Sequence, residues 1–105
     1  MNTFDERKKA FEAKFLQDED LKFKLRARRN KRIAEWAAEL IGKPNDENYI
    51  KEVRESALLK PGDDDIIDKL LEDFASNNLN VTREEIIQKF NQYENNVKEE
   101  MIENN

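Results

Sequence analysis

Seven cations, Lys22, Lys24, Arg26, Arg28, Arg29, Lys31 and Arg32, crowd into eleven residues with no acid among them. A helix of this charge density could bind phosphates or an acidic partner. The rest of the chain opposes the phosphate reading. Its net charge is −5 and its pI near 4.9, so the remaining surface would repel a nucleic-acid backbone. The plainer reading is a solvated helix face whose long stems cover a core and whose charges meet acids elsewhere in the fold. Asp63-Asp64-Asp65 invites a calcium reading, but an EF-hand loop needs alternating ligands, a central Gly and a Glu at its twelfth position. Gly62 precedes the acids here and Asp68 takes the sixth position, so helix capping suits them better. Gly42 and Gly62 are isolated, which leaves no phosphate-cradling loop. Cys and His are both absent. That removes a disulfide framework, a thiolate metal site, a Cys nucleophile and the commonest general base, and with them any imidazole switch near neutral pH. Neither catalysis, metal nor cofactor is expected.

The other chemistry-bearing pattern is aromatic. Phe4, Phe11 and Phe15 fall at i, i+7 and i+11, on one face of a helix over about Thr3 to Leu16. The remaining faces carry Asp5, Glu6, Arg7, Lys8, Lys9, Glu12 and Lys14, with Asp5 to Lys9 a favourable i,i+4 pair. Such a stripe can be core, or it can be the apolar face of a helix that inserts into a groove on a partner, where aromatic anchors dominate binding. The acidic interruption Gln17-Asp18-Glu19-Asp20 favours the second reading, with a break or bend and a cap at Asp18. On this reading the rings of Phe11 and Phe15 lie outside the folded core.

These residues need elements to hold them. The chain has 105 residues, 41% of them charged against roughly 25% in an ordinary soluble domain, and only two Gly and two Pro. High charge is a disorder signature, yet the apolar residues recur at helical intervals, and so little turn chemistry argues against an all-β fold. A small single-domain helical bundle of modest stability is expected. A second helix over about Leu21 to Ile41 ends at Gly42 and Pro44, with Ile33, Trp36, Ala37, Leu40 and Ile41 as its stripe and Phe23 and Ala27 further up. A third starts near Asn45 or Asp46 and turns Tyr49, Ile50, Val53 and Ala57 inward. A fourth starts at Asp63 and buries Ile66, Ile67, Leu70, Leu71 and Phe74. Thr82 with Glu85 forms a capping box for a fifth, with Val81 and Ile86 as a hydrophobic staple. Ile86, Phe90, Tyr93, Val97 and Met101 follow at helical spacing, before an Asn/Glu tail that should fray. Charge is split: residues 1–43 hold 12 Lys/Arg against 8 Asp/Glu, and residues 44–105 hold 7 against 16. The halves can therefore attract each other. No apolar run approaches the roughly 18 residues of a membrane span, and the N-terminus lacks a signal-peptide core.

Thr3-Phe4-Asp5-Glu6-Arg7, Ala10-Phe11-Glu12-Ala13-Lys14-Phe15, Leu21-Lys22-Phe23-Lys24, Ala27-Arg28-Arg29-Asn30-Lys31 and Trp36-Ala37-Ala38-Glu39 resemble the zeta subunit family of alphaproteobacterial F-type ATP synthases. The likeness is dense over about the first 43 residues and continues through Pro61-Gly62-Asp63 into the last helix. It implies an all-α four-helix bundle with a mobile or loosely attached N-terminal helix, divided into an inhibitory segment over 1–17 and a bundle over 18–105. It also implies inhibition of ATP hydrolysis, with the segment entering a catalytic α/β interface near the γ stalk. The partner-binding residues carried over are Phe4, Asp5, Arg7, Phe11, Glu12, Lys14 and Phe15. A cytoplasmic monomer, bound to the inner membrane only through the synthase head, is the matching expectation. The alternative from the residues alone is a stand-alone bundle that binds nucleic acid or an acidic partner through Lys22–Arg32.

Overall fold

A single residue, Asp18, separates the first two helices. In the computed structural model, which describes residues 3–104, α1 spans Thr3–Gln17 and α2 spans Glu19–Leu40. The Asp18 carboxylate accepts a hydrogen bond from the Leu21 N–H at 3.1 Å, satisfying a donor that the first turn leaves open. The expected break is therefore real and costs only one residue. α2 ends on Gly42 at φ 78°, with Lys43 N–H on the Ala38 carbonyl and Gly42 N–H on that of Glu39. These two bonds form a Schellman stop. α3 (Glu47–Ser56) starts from Asp46, which accepts from the N–H groups of Asn48 and Tyr49. α4 (Asp64–Ser76) ends the same way as α2, with Asn78 in the left-handed conformation at φ 60°. α5 (Arg83–Glu103) begins at Thr82, whose Oγ1 accepts from the Glu85 N–H at 3.1 Å. The Thr82 hydroxyl also donates to the Glu85 carboxylate.

Helices α2 to α5 share one core. Ile33, Ala34, Ala37 and Ala38 of α2 meet Tyr49 and Val53 of α3, Ile66, Leu70 and Phe74 of α4, and Ile86 and Phe90 of α5. Trp36 sets its ring edge-on to Phe74 at 5.5 Å, and Val81 packs against the same core that holds Ile86. This core uses the C-terminal half of α2 and the N-terminal half of α5. Their opposite halves form a second, smaller cluster of Leu25, Val97, Met101 and Ile102, which α1 covers with Phe11. The molecule is accordingly elongated, 50 × 26 × 25 Å. The fold is an all-α four-helix core with a loosely attached N-terminal helix, as the sequence implies.

Four expectations fail in detail, the first being Leu40, which leaves the stripe of α2 and is exposed. Phe23 does not join the apolar stripe of α2; it is 64% exposed, because the stripe continues through Leu25 on another face. Asp63 precedes α4 but caps nothing with its side chain, since its carboxylate is taken by Arg29 at 2.7 Å and Arg26 at 3.4 Å. The C-terminal tail stays helical through Glu103, with Ile102 buried where α1 packs on it; Asn105 lies outside the described residues.

Charge complementarity between the halves takes a definite form. Arg29 is only 4% exposed. Its guanidinium bonds to Asp63 at 2.7 Å, to Glu94 at 3.1 Å and to its neighbour Asn30, and lies 4.8 Å over the Phe90 ring. One side chain thus ties α2 to the start of α4 and the middle of α5. Arg29→Ala leaves Glu94 without its counter-ion and Asp63 with Arg26 alone, at a cost of roughly 3 kcal/mol, lowered from the upper range because both acids are partly wet. The melting temperature should fall by on the order of 15 °C, which calorimetry can check.

A second polar cluster joins α3 to α4. The Tyr49 hydroxyl donates to Asp73 at 2.7 Å, and the Lys69 ammonium reaches Asp73 at 3.1 Å and Glu52 at 3.0 Å. Burial, reinforced by the hydrogen bond to Asp73, raises the Tyr49 pKa far above its usual range. Burial works against the Lys69 ammonium, but its bonds to Glu52 and Asp73 prevail and its pKa rises too. Both groups keep their neutral-pH form more firmly in the fold than in the unfolded chain. Their contribution is complete below about pH 10 and is lost as pH rises beyond it. Denaturant titrations should therefore show a decline in stability above that pH, and the decline should be shallower in Tyr49→Phe.

Candidate partner-binding site

The site residues expected from the sequence all lie on α1, and its helical period divides them into two sets. Phe4, Phe11 and Phe15 face the second cluster. Phe11 is buried at 4% exposure against Leu25, Val97, Met101 and Ile102, while Phe4 and Phe15 are half-buried at its margin beside Leu21. The Phe11 and Phe15 rings stack with centroids 5.9 Å apart, and Lys98 of α5 places its ammonium 5.3 Å over the Phe15 ring. Asp5, Arg7, Glu12 and Lys14 point outward and are exposed. Arg7, Phe11 and Lys14 border, with Ile102, a shallow depression of about 280 Å³. The aromatic stripe is thus brought together as a face, with Arg7 and Lys14 along its edge and Asp5 and Glu12 further round the helix.

The burial of Phe11 corrects one expectation. Its ring is part of a folded cluster, because α1 folds back onto α2 and α5 and finds an apolar strip already waiting there. The receiving side, Leu21, Leu25 and Ile102, was missed in the sequence. Val97 and Met101 had been visible as the end of the α5 stripe, but spacing alone does not say which neighbour that end meets. Phe11 is nevertheless the single buried residue of α1, so the helix is held by far less surface than the four around the main core. Its attachment is local.

The basic run is largely committed within the chain. Lys22 pairs with Glu19, Lys24 with Asp20, Arg26 and Arg29 with Asp63, and Arg32 with Glu100. Arg28 and Lys31 alone of the seven form no ion pair among the described residues. A helix that spends its cations on its own acids presents a weak footprint to a phosphate backbone. Among the described residues no cluster of three or more metal-ligating side chains occurs, and no helix is long and apolar enough to cross a membrane.

A bundle whose one separable element is an amphipathic helix has the build of a binding protein. The chain belongs to the ATPase inhibitor subunit zeta family, whose model matches residues 1–100. It is a non-catalytic inhibitory subunit that blocks ATP hydrolysis by the F-type ATP synthase through its N-terminal helix, and its partner is the catalytic head of that enzyme. No curated protein and no solved structure matches it.

Removing the Phe11 ring should empty the second cluster at a cost of about 3 kcal/mol. The loss is confined to that end of the molecule. In Phe11→Ala, amide exchange should quicken throughout α1 and around Ile102, while the unfolding transition followed by Trp36 fluorescence moves little.

Proposed function

We propose that residues 1–17 form the inhibitory segment and residues 18–105 the bundle domain that carries it. The segment enters a catalytic α/β interface of the synthase head and reaches towards the γ stalk. Phe4, Phe11 and Phe15 are its anchors, and Asp5, Arg7, Glu12 and Lys14 pair with the polar walls of the cleft. The free protein acts as a monomer, in the cytoplasm, and meets the membrane only through the synthase. One observation carries this reading: α1 presents its three aromatic rings on one face, and that face rests on a small cluster separate from the core of the bundle.

The same observation sets an energetic condition. The rings cannot pack in a cleft while they pack on α2 and α5, so α1 has to leave its seat before it can serve as a wedge. Full burial of one Phe is worth roughly 1.5–3 kcal/mol, and the cleft has to return what the second cluster loses. Two of the rings are only half-buried in the free protein, so a cleft that encloses all three gains surface over the docked state. Affinity then depends on two terms: the fit in the cleft and the fraction of molecules whose α1 is undocked. A wedge of this kind blocks rotation in one direction if hydrolysis closes the cleft on it and synthesis opens the cleft to release it.

The decisive measurement adds the protein to its cognate synthase head and follows hydrolysis and synthesis separately. Hydrolysis should fall while synthesis is retained; equal loss of both, or of neither, would contradict the wedge. The seat can be weakened without touching the wedge. Met101→Ala loosens only the surface that holds α1, so it should lower the concentration needed for half inhibition several-fold, whereas Phe11→Ala should raise it.

A further inference from the structure

The large apolar side chains left exposed among the described residues are Leu16, Phe23, Leu40, Leu58, Leu59 and Ile87. All but the first lie on the bundle, where nothing in the fold says what would cover them. Leu16 is different, because it belongs to α1, the helix that meets the synthase head. It is 73% exposed and joins neither apolar cluster. Its position follows from the seating of its neighbours. At roughly 100° per residue, Phe4, Phe11 and Phe15 fall on one line, and Leu16 stands about 120° round the helix from it. Turning the rings onto α2 and α5 therefore turns Leu16 into solvent. Arg7 and Lys14 lie on the opposite side of the helix, where they border the depression next to Ile102.

The seat on the bundle offers α1 one wall. A cleft between two subunits offers two, and a helix that enters it is contacted from both sides. Only a difference in affinity between two states moves the equilibrium between them. The three rings contribute to both the seated and the inserted state, so only their surplus counts. Leu16 has no apolar contact to give up when α1 leaves its seat, and whatever it buries in the cleft is net gain. Its surroundings suit close approach: Ala13, one turn earlier on the same side, is small and exposed. Leu16 also lies at the bundle end of α1, in its last turn before Asp18, and would meet the cleft near its mouth.

We propose that Leu16 is a further partner contact: the rings face one subunit of the catalytic α/β interface, and Leu16 packs on the other. This rests on the insertion proposed above. The occupant of this surface is the synthase head, reached through the same helix by which the family acts. Leu16 tips α1 from its seat into the cleft without taking part in the fold of the free protein. Three residues then separate the two terms of affinity. Met101 serves the seat alone, Phe11 serves seat and cleft together, and Leu16 serves the cleft alone.

The test uses the full chain and the cognate α3β3γ head, with binding followed by fluorescence anisotropy and inhibition followed by hydrolysis. Leu16→Ala and Leu16→Gln place good helix formers at an exposed site, and Leu16→Met keeps the apolar volume. The Ala and Gln variants should each raise the half-inhibitory concentration about tenfold, as expected when a buried Leu side chain is lost. Leu16→Met should stay within about twofold of wild type. Amide exchange across α1 in the free variants, and the unfolding transition of Trp36, should match wild type. Unchanged inhibition curves overturn the proposal. So does a rise accompanied by faster exchange throughout α1, because Leu16 would then act through the helix itself. Wild-type protein that binds the head without blocking hydrolysis, and binds more weakly as Leu16→Gln, leaves the contact standing and removes the insertion reading. Protein that neither binds nor inhibits removes both.

Discussion

The buried guanidinium of Arg29 is the interaction on which the arrangement depends. A chain this rich in charge buries little apolar surface for its size, and four helices with polar backs have few ways to choose one packing over another. Arg29 restricts the choice. Its two acidic partners, Asp63 just before α4 and Glu94 within α5, can be reached together only when both helices lie against α2 in one register. The ring of Phe90 beneath it and the side-chain amide oxygen of Asn30 beside it make the position narrower still. A hydrophobic residue there could stabilise as much, but it would specify less.

That clamp also divides the molecule. On one side lies the main core, to which four helices contribute and which α1 does not touch. On the other lie Leu25, Val97, Met101 and Ile102, a strip that α2 and α5 leave uncovered between them. The strip is what makes α1 a separable element: it is apolar enough to hold a helix and too small to hold it tightly. The seat of α1 and the main core are therefore built from different residues.

Much of this architecture was legible in the residues. Asp18, Gly42, Asp46 and Thr82 mark helix ends by chemistry that acts within a few residues, so their roles transfer directly from sequence to structure. The main core follows from helical spacing for the same reason. What was not legible depends on contacts distant in the chain. Asp63 looks like a cap until Arg29, 34 residues earlier, claims its carboxylate. Phe23 reads as part of a stripe until the rotation of α2 is set by Leu25 and Arg29. The three rings of α1 do share one face, but Phe11 looks free until the far end of α5 returns beneath it. Periodicity shows that a face is apolar; it does not show what the face meets.

The single residue between α1 and α2 has a geometric consequence. A helix of 15 residues is about 22 Å long, and with only Asp18 as joint it carries the bundle close behind it. The molecule measures 26 × 25 Å across its short axes, more than twice the width of one helix, so a slot shaped for α1 excludes the rest. On the proposed insertion, Asp18 would act as a depth stop: the wedge would travel only until the shoulder of the bundle met the rim, and a longer joint would lose that limit even with every ring in place.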